Sequence, residues 1–219
     1  MLALLKAPAT AAYILTATHA CPASPAPQLD FDFRVTKTEF VHRLSWQELE
    51  RLRRKISSTE VEGRLSGLTE TKFNHKIAIH GKEMSRSDGW YCYTPGSVVV
   101  TLELSPTVYI ASAHRPGGCK YDETRKHELR HVATATQTLE EFAPAVMAAL
   151  RKAMKEFRPQ GPATLKQLRR ERNRMSKIIK NAYAGAVEEM TRTLQKRQAR
   201  IDTPEEYQRI GAACAGLDD

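Results

Sequence analysis

The sequence predicts an α+β fold in which a small mixed or antiparallel sheet with one helix comes first and two long helices follow. Three observations carry that prediction. Stretches at 30–41, 73–81, 90–93 and 97–112 either alternate apolar with polar residues, as in Phe31, Phe33 and Val35, or are dense in β-branched residues. From about residue 121 the apolar period becomes helical, and Val132, Ala135, Leu139 and Val146 fall on one arc. After Pro159, Gly161 and Pro162 break the chain, a second helical run covers 163–200, with the stripe Ile179, Tyr183, Ala186, Val187, Met190 and Leu194.

Each element follows from local chemistry. Residues 1–20 carry one charge, Lys6, and end Thr18-His19-Ala20, which reads as a secretory signal peptide cut after Ala20. Cys21 then raises a lipoprotein signal, although Thr-His-Ala lacks the usual aliphatic residue. Residues 21–29 are a Pro-rich linker, and 30–219 are read as one domain, with a sheet part at 30–118 and a helical part at 119–219. Ser45 caps a first helix, and Glu48 three residues on completes a capping box. Residues 57–72 read as loop, 73–81 as a strand, and Ser87-Asp88-Gly89 and Pro95-Gly96 as turns between strands. Pro144 is a kink or a restart in the helix that spans about 121–157. The two long helices are expected to form an antiparallel hairpin beside the sheet. No 18-residue apolar run occurs in the body, so no transmembrane segment is expected in the mature chain.

Within the first long helix, residues 127–131 read His-Glu-Leu-Arg-His, an H-E-x-x-H motif. Residues i and i+4 of a helix lie about 40° apart, so His127 and His131 point the same way and can chelate one zinc ion. Glu128 is about 100° round from His127, within reach of a water on that zinc, as general base. It also falls inside the apolar arc, where a carboxylate without a partner is costly and a metal site supplies the partner. The competing reading is a surface helix with two incidental histidines.

Charge and cysteines bound the rest. Residues 151–200 hold 15 Lys/Arg and 4 Asp/Glu against a net +9 for the whole chain, so the remainder is slightly acidic. Such a helix either presents a solvated outer face or meets an anionic envelope polymer or lipid; no aromatic set interleaves the charges as a specific nucleic-acid module would require. Cys21, Cys92, Cys119 and Cys214 suggest two disulfides in an exported protein, with three possible pairings. A Cys92–Cys119 bridge would tie the sheet to the loop before the motif helix and leave Cys21 with Cys214. No C-x-x-C is present, so no cysteine zinc site is indicated.

From Gly118 the chain reads GCKYDETRKHELRHV, and at 200–214 RIDTPEEYQRIGAAC. A cysteine, Tyr121, the motif, and later an aspartate after a long helix resemble a family of secreted bacterial proteins regarded as zinc-dependent proteases of the zincin type. The likeness covers roughly residues 90–214 and is specific at 119–131. It implies a zincin-like fold, a signal peptide, Zn2+ held by His127 and His131, and Glu128 as base. The third ligand is open between two arguments. Position 137, where metzincins carry a histidine, is Gln137. Counting register through the hairpin favours Glu189, whereas the likeness favours Asp202, which also reads as an N-cap for the short helix after it; Glu205 is a further candidate. His114, in the loop before the motif, is a candidate oxyanion or substrate contact or else a surface histidine. His75 and His80 read as surface or packing residues, and Tyr121 as packing. Two functions follow: an exported, secreted or periplasmic zinc metallopeptidase acting on a peptide or protein substrate, or a non-catalytic envelope protein whose basic hairpin binds anionic polymer or lipid.

Overall fold

The structure is a computed structural model that describes residues 21–23, 25–56 and 65–216. In chain order the elements are β1 (Gln28–Val35), β2 (Glu39–Val41), α1 (Trp46–Ile56), β3 (Gly67–Ser85), β4 (Tyr91–Ile110), α2 (Cys119–Met154), β5 (Gln160–Ala163), α3 (Leu165–Gln198) and α4 (Pro204–Ala213). The segment read as a signal peptide lies outside the described residues.

β4 is the spine of a mixed five-stranded sheet: β1 and β2 pair with it in parallel, β3 and β5 antiparallel. From Ser97 to Ile110 its alternation is strict. Val98, Val100, Leu102 and Leu104 are fully buried against Ala135, Leu139, Val146 and Leu150 of α2 and against Met175, Ile179, Tyr183 and Met190 of α3. One sheet face therefore carries both long helices, and their association is hydrophobic. α1 packs elsewhere. Its Leu49 meets Leu65, Leu68, Tyr109 and Ala111, and Leu68 and Tyr109 alternate with Thr69 and Val108, so this helix covers the opposite face at one end. The capping box at Ser45 is present: the Ser45 backbone N–H donates to Glu48 Oε2, and the Glu48 N–H to Ser45 Oγ.

Several boundaries differ from the sequence reading, each for a physical reason. β1 begins inside the segment read as linker. β3 runs 19 residues and takes in 67–72, read as loop, because these polar residues pair with 105–110 of β4. Pro95-Gly96 does not turn the chain. His80 pairs with Ser97 and Gly81 with Pro95, so Gly96 is the extra residue of a bulge inside one 20-residue strand. Pro144 does not break α2; it and Glu140, four residues before it, are exposed, so water can serve the carbonyl that the proline cannot.

The disulfides are Cys21–Cys92 and Cys119–Cys214, in place of the expected Cys92–Cys119 and Cys21–Cys214. The reason is β5, which pairs with β4 at Tyr91 and Tyr93 and brings Gln160 beside Cys21. The Cys21 sulfur is committed to Cys92, which removes the thiol a lipoprotein anchor needs. No described helix is long and apolar enough to cross a membrane.

Candidate metal centre

α2 enters the site with its buried face. Thr124, His127, Glu128, His131, Val132 and Ala135 are buried at the three- and four-residue spacing of one helical stripe. The two histidines are nearly sealed, at 3% and 7% exposure, which makes an incidental surface pair untenable.

The third group comes from the turn after α3. Thr203, not Asp202, caps α4: its hydroxyl accepts the Glu206 N–H at 3.2 Å, which frees the Asp202 carboxylate to turn inward. Asp202 Oδ1 lies 3.2 Å from His127 Nε2 and 3.0 Å from His131 Nε2, and the two Nε2 atoms are 3.2 Å apart. Ligand atoms at Zn–N and Zn–O lengths in a tetrahedral shell are about 3.3 Å apart. The triangle thus has the edge length that one face of a zinc tetrahedron requires. Among the described residues these three form the group able to hold a metal ion.

The outer nitrogens explain why the inner ones are free to bind. His131 Nδ1 meets Gln198 Oε1, while Gln198 Nε2 donates to the His131 carbonyl at 3.1 Å, so the amide can sit only one way round. His127 Nδ1 faces Glu206 Oε1 at 3.4 Å. With the protons on Nδ1, both Nε2 lone pairs and a carboxylate oxygen converge on one point. Three converging lone-pair donors repel unless a cation sits between them. The donor set, two imidazoles and one carboxylate, therefore fits a divalent metal ion.

Electrostatics follow the same lines. Burial opposes ionisation of Asp202, but so long as the Nε2 atoms carry protons in place of a metal, hydrogen bonds from His127, His131 and Tyr207 outweigh it and hold the carboxyl well below its ordinary value. Burial lowers His131, yet Asp202 and Glu128 together push it up. Arg209, against a smaller effect of burial and with Arg130, holds Glu206 down at about 2. Glu128 is pushed up by burial, opposed by His131 and by the Thr69 hydroxyl, which donates to Glu128 Oε2 at 2.7 Å. Gly67 lets β3 come this close: a Cβ there would meet Thr124 Cγ2 at 2.5 Å and Glu128 Oε1 at 2.6 Å.

Two cavities flank the triangle. One, of about 660 Å³, lies between β3 and α3 and is lined by Glu128, His131, Asp202, Arg53 and Tyr207 among others. The other, of about 300 Å³, reaches His127 and Glu128 from the α4 side.

Other expected residues lie elsewhere. Glu189 is exposed and bonded to Arg192 at 2.6 Å, so it does not join the histidines. Glu205 is exposed, and its neighbour Glu206 faces His127 instead. His114 lines neither cavity; its carbonyl accepts from His42 Nε2. Tyr121 packs beside Val108, Ile110 and Val132, and His75 lies against the Tyr183 ring. Sequence reasoning missed Thr69, Gln198, Glu206 and Tyr207. Of these, only Glu206 had a local signal, an acid in the first turn of a Pro-started helix beside the candidate aspartate.

No protein-family model matches the chain, and neither a curated protein nor a solved structure matches it.

Proposed function

We propose that the protein is an exported zinc metallopeptidase of zincin-like fold that hydrolyses peptide bonds. The observation that carries this reading is the convergence of His127 Nε2, His131 Nε2 and Asp202 Oδ1 beside a buried carboxylate, Glu128, in the wall of an open cleft. Bound zinc would supply Lewis-acid activation of water and of a carbonyl group. Glu128 takes the proton from the attacking water and returns it to the departing amine, a role suited to a carboxylate whose affinity for protons is raised by burial. Thr69 holds Glu128 Oε2, which leaves Oε1 for that proton. Gln198 and Glu206 fix the two imidazoles in their ligating orientation. Tyr207, whose hydroxyl donates to Asp202 Oδ1 at 3.0 Å, orients the carboxylate.

The cleft also suits an extended chain. β3 has β4 as its only strand partner among the described residues, and its row of outer N–H and C=O groups is free to pair with a substrate strand. Two disulfides fit an oxidising compartment outside the cytoplasm.

The test is metal content and one mutant. Tag-free protein should carry close to one zinc by elemental analysis. Glu128→Gln should keep the zinc and lose hydrolysis of a peptide library by about 10²-fold or more. Absence of zinc after reconstitution would overturn the reading. A second reading rests on α3, which carries ten Lys/Arg against three Asp/Glu: a non-catalytic protein binding anionic envelope polymer or lipid. It expects Glu128→Gln to leave biological activity intact and binding to weaken steeply with salt.

A further inference from the structure

The cleft does not stop at the metal centre. A groove of about 1080 Å³ continues from it, and Phe73, Thr191 and Gln195 line both spaces. β3 on one side and α3 on the other wall both spaces, and α1 and α2 add to the lining only at the metal end. Two independent counts give its reach. From Thr69, at Glu128, to Ile77 is eight strand residues, about 26 Å. From Gln198, at His131, to Lys180 is eighteen helix residues, about 27 Å. The agreement means that β3 and α3 run side by side away from the metal. An extended peptide covers that distance in about eight residues.

The chemistry of the far part differs from that of the metal centre. Its floor is apolar and aromatic, formed by Phe73, Ile77, Tyr183 and Val187. Its rim is cationic, with Lys76 from the strand and Lys180 from the helix; neither has an ion-pair partner among the described residues. Arg192 adds a guanidinium shared with Glu189, and Glu188 is the one acid in the lining.

We infer that this groove is a second substrate-binding site of the same cleft. It selects extended polypeptide that places a large apolar or aromatic side chain about four to eight residues from the scissile bond, next to acidic side chains. The inference rests on the peptidase reading for its position along the substrate. The occupant itself follows from continuity with the metal-site cavity and from charge complementarity.

The experiment is a binding measurement on Glu128→Gln protein loaded with zinc, so that no probe is consumed. The probes are fluorescein-labelled dodecapeptides of Gly, Ser and Ala carrying Phe-Asp-Phe-Asp at one end or the other, and matching peptides with Lys for Asp or Ala for Phe. Anisotropy titration at about 0.1 M salt should give at least 10-fold tighter binding for one Phe-Asp peptide than for its Lys counterpart, and about 5-fold or more over the Ala form. Lys180→Glu should abolish the preference for Asp. Arg170→Glu, an equal charge change on an exposed part of α3 outside the groove, should leave it within 2-fold. Equal affinity for the Asp and Lys peptides overturns the inference, as does an Arg170→Glu effect as large as that of Lys180→Glu, which would indicate diffuse attraction to a basic helix. If the preference holds but wild type cleaves no peptide, the peptide-binding site stands and the hydrolytic reading fails; cleavage without the preference does the reverse.

Discussion

Cutting one disulfide should cost metal affinity while cutting the other should not, although both should cost the same stability. The bridges close segments of 71 and 95 residues. In the chain-entropy description these are worth about 4.4 and 4.7 kcal/mol, too close to separate in a melting curve. Their local roles differ. Cys21–Cys92 joins the start of the described chain to β4, far along the sheet from the histidines. Cys119–Cys214 joins the first residue of α2 to the C-cap of α4, and α4 has little else to hold it: none of its residues is buried. Its other anchors to α2 are the contacts of Glu206 and Tyr207 with His127 and the ion pairs Arg130–Glu206 at 2.6 Å and Arg209–Glu123 at 3.0 Å, whose cations are half exposed and whose pairs contribute at most about 1 kcal/mol each. Ordering the residues of α4 costs about 1–2 kcal/mol apiece in backbone entropy. Without its bridge α4 should fray, and Glu206, Tyr207 and the adjoining Asp202 should go with it. Zinc affinity by chelator competition should fall at least 10-fold, about 1.4 kcal/mol, in Cys119→Ser/Cys214→Ser and stay within about 3-fold in Cys21→Ser/Cys92→Ser. Equal zinc affinities in the two double variants would refute the reasoning.

Glu206→Leu and Gln198→Leu should each weaken zinc binding about 10-fold, because each removes the acceptor that fixes a histidine's outer nitrogen; unchanged affinity in both would remove these residues from the site. Gly67→Ala should depress hydrolysis with zinc affinity within about 2-fold, since its Cβ collides with Glu128 Oε1 rather than with a ligand atom; chelator competition beside a peptide assay separates the two. At alkaline pH, Tyr183 should act against the fold. Burial pushes its pKa up to about 12, so its contribution is complete below about pH 10, the unfolded value, and is lost as pH rises from there towards 12. Urea unfolding from pH 9 to 11.5 should show a shallower decline in Tyr183→Phe than in wild type.

How much was legible in the sequence depends on how local each feature is. α2 and α3 show in the period because each buries one continuous stripe over many turns: Ala135, Leu139 and Val146 on one, Ile179, Tyr183 and Met190 on the other. The shared orientation of His127 and His131 was legible for the same reason, since one helix sets it. Residues 67–72 were not, because Thr69, Glu70 and Thr71 carry no strand alternation; long-range pairing with β4 makes them strand. Gly96 shows a glycine but not its use, since a bulge and a turn demand the same residue. The disulfide pairing and the roles of Thr69, Gln198 and Glu206 depend on which segments the fold brings together, and no spacing within one segment encodes that.

The contest between Glu189 and Asp202 shows which length the sequence hides. α2 ends at Met154, 23 residues beyond His131, and a symmetric hairpin would return to the level of His131 at about residue 188, 23 residues into α3. The residue that meets His131 is Gln198, 33 residues in. The difference of ten residues, about 15 Å of helix, is introduced between the helices. There the chain does not turn tightly but leaves the helical layer as β5, pairs with Tyr91 and Tyr93 of β4, and starts α3 beyond the level at which α2 ended. Pro144, read from the sequence as a kink or a restart, sits inside a continuous helix and is not responsible. The offset has two effects. It carries Glu189 along α3 away from the histidines, so that the turn after the helix, with Asp202, arrives there in its place. It also lengthens the part of α3 that lies beside β3 beyond the metal centre, which is the wall of the long groove. A short strand with two pairing residues on β4 thus fixes both which carboxylate reaches the histidines and how far the cleft extends from them.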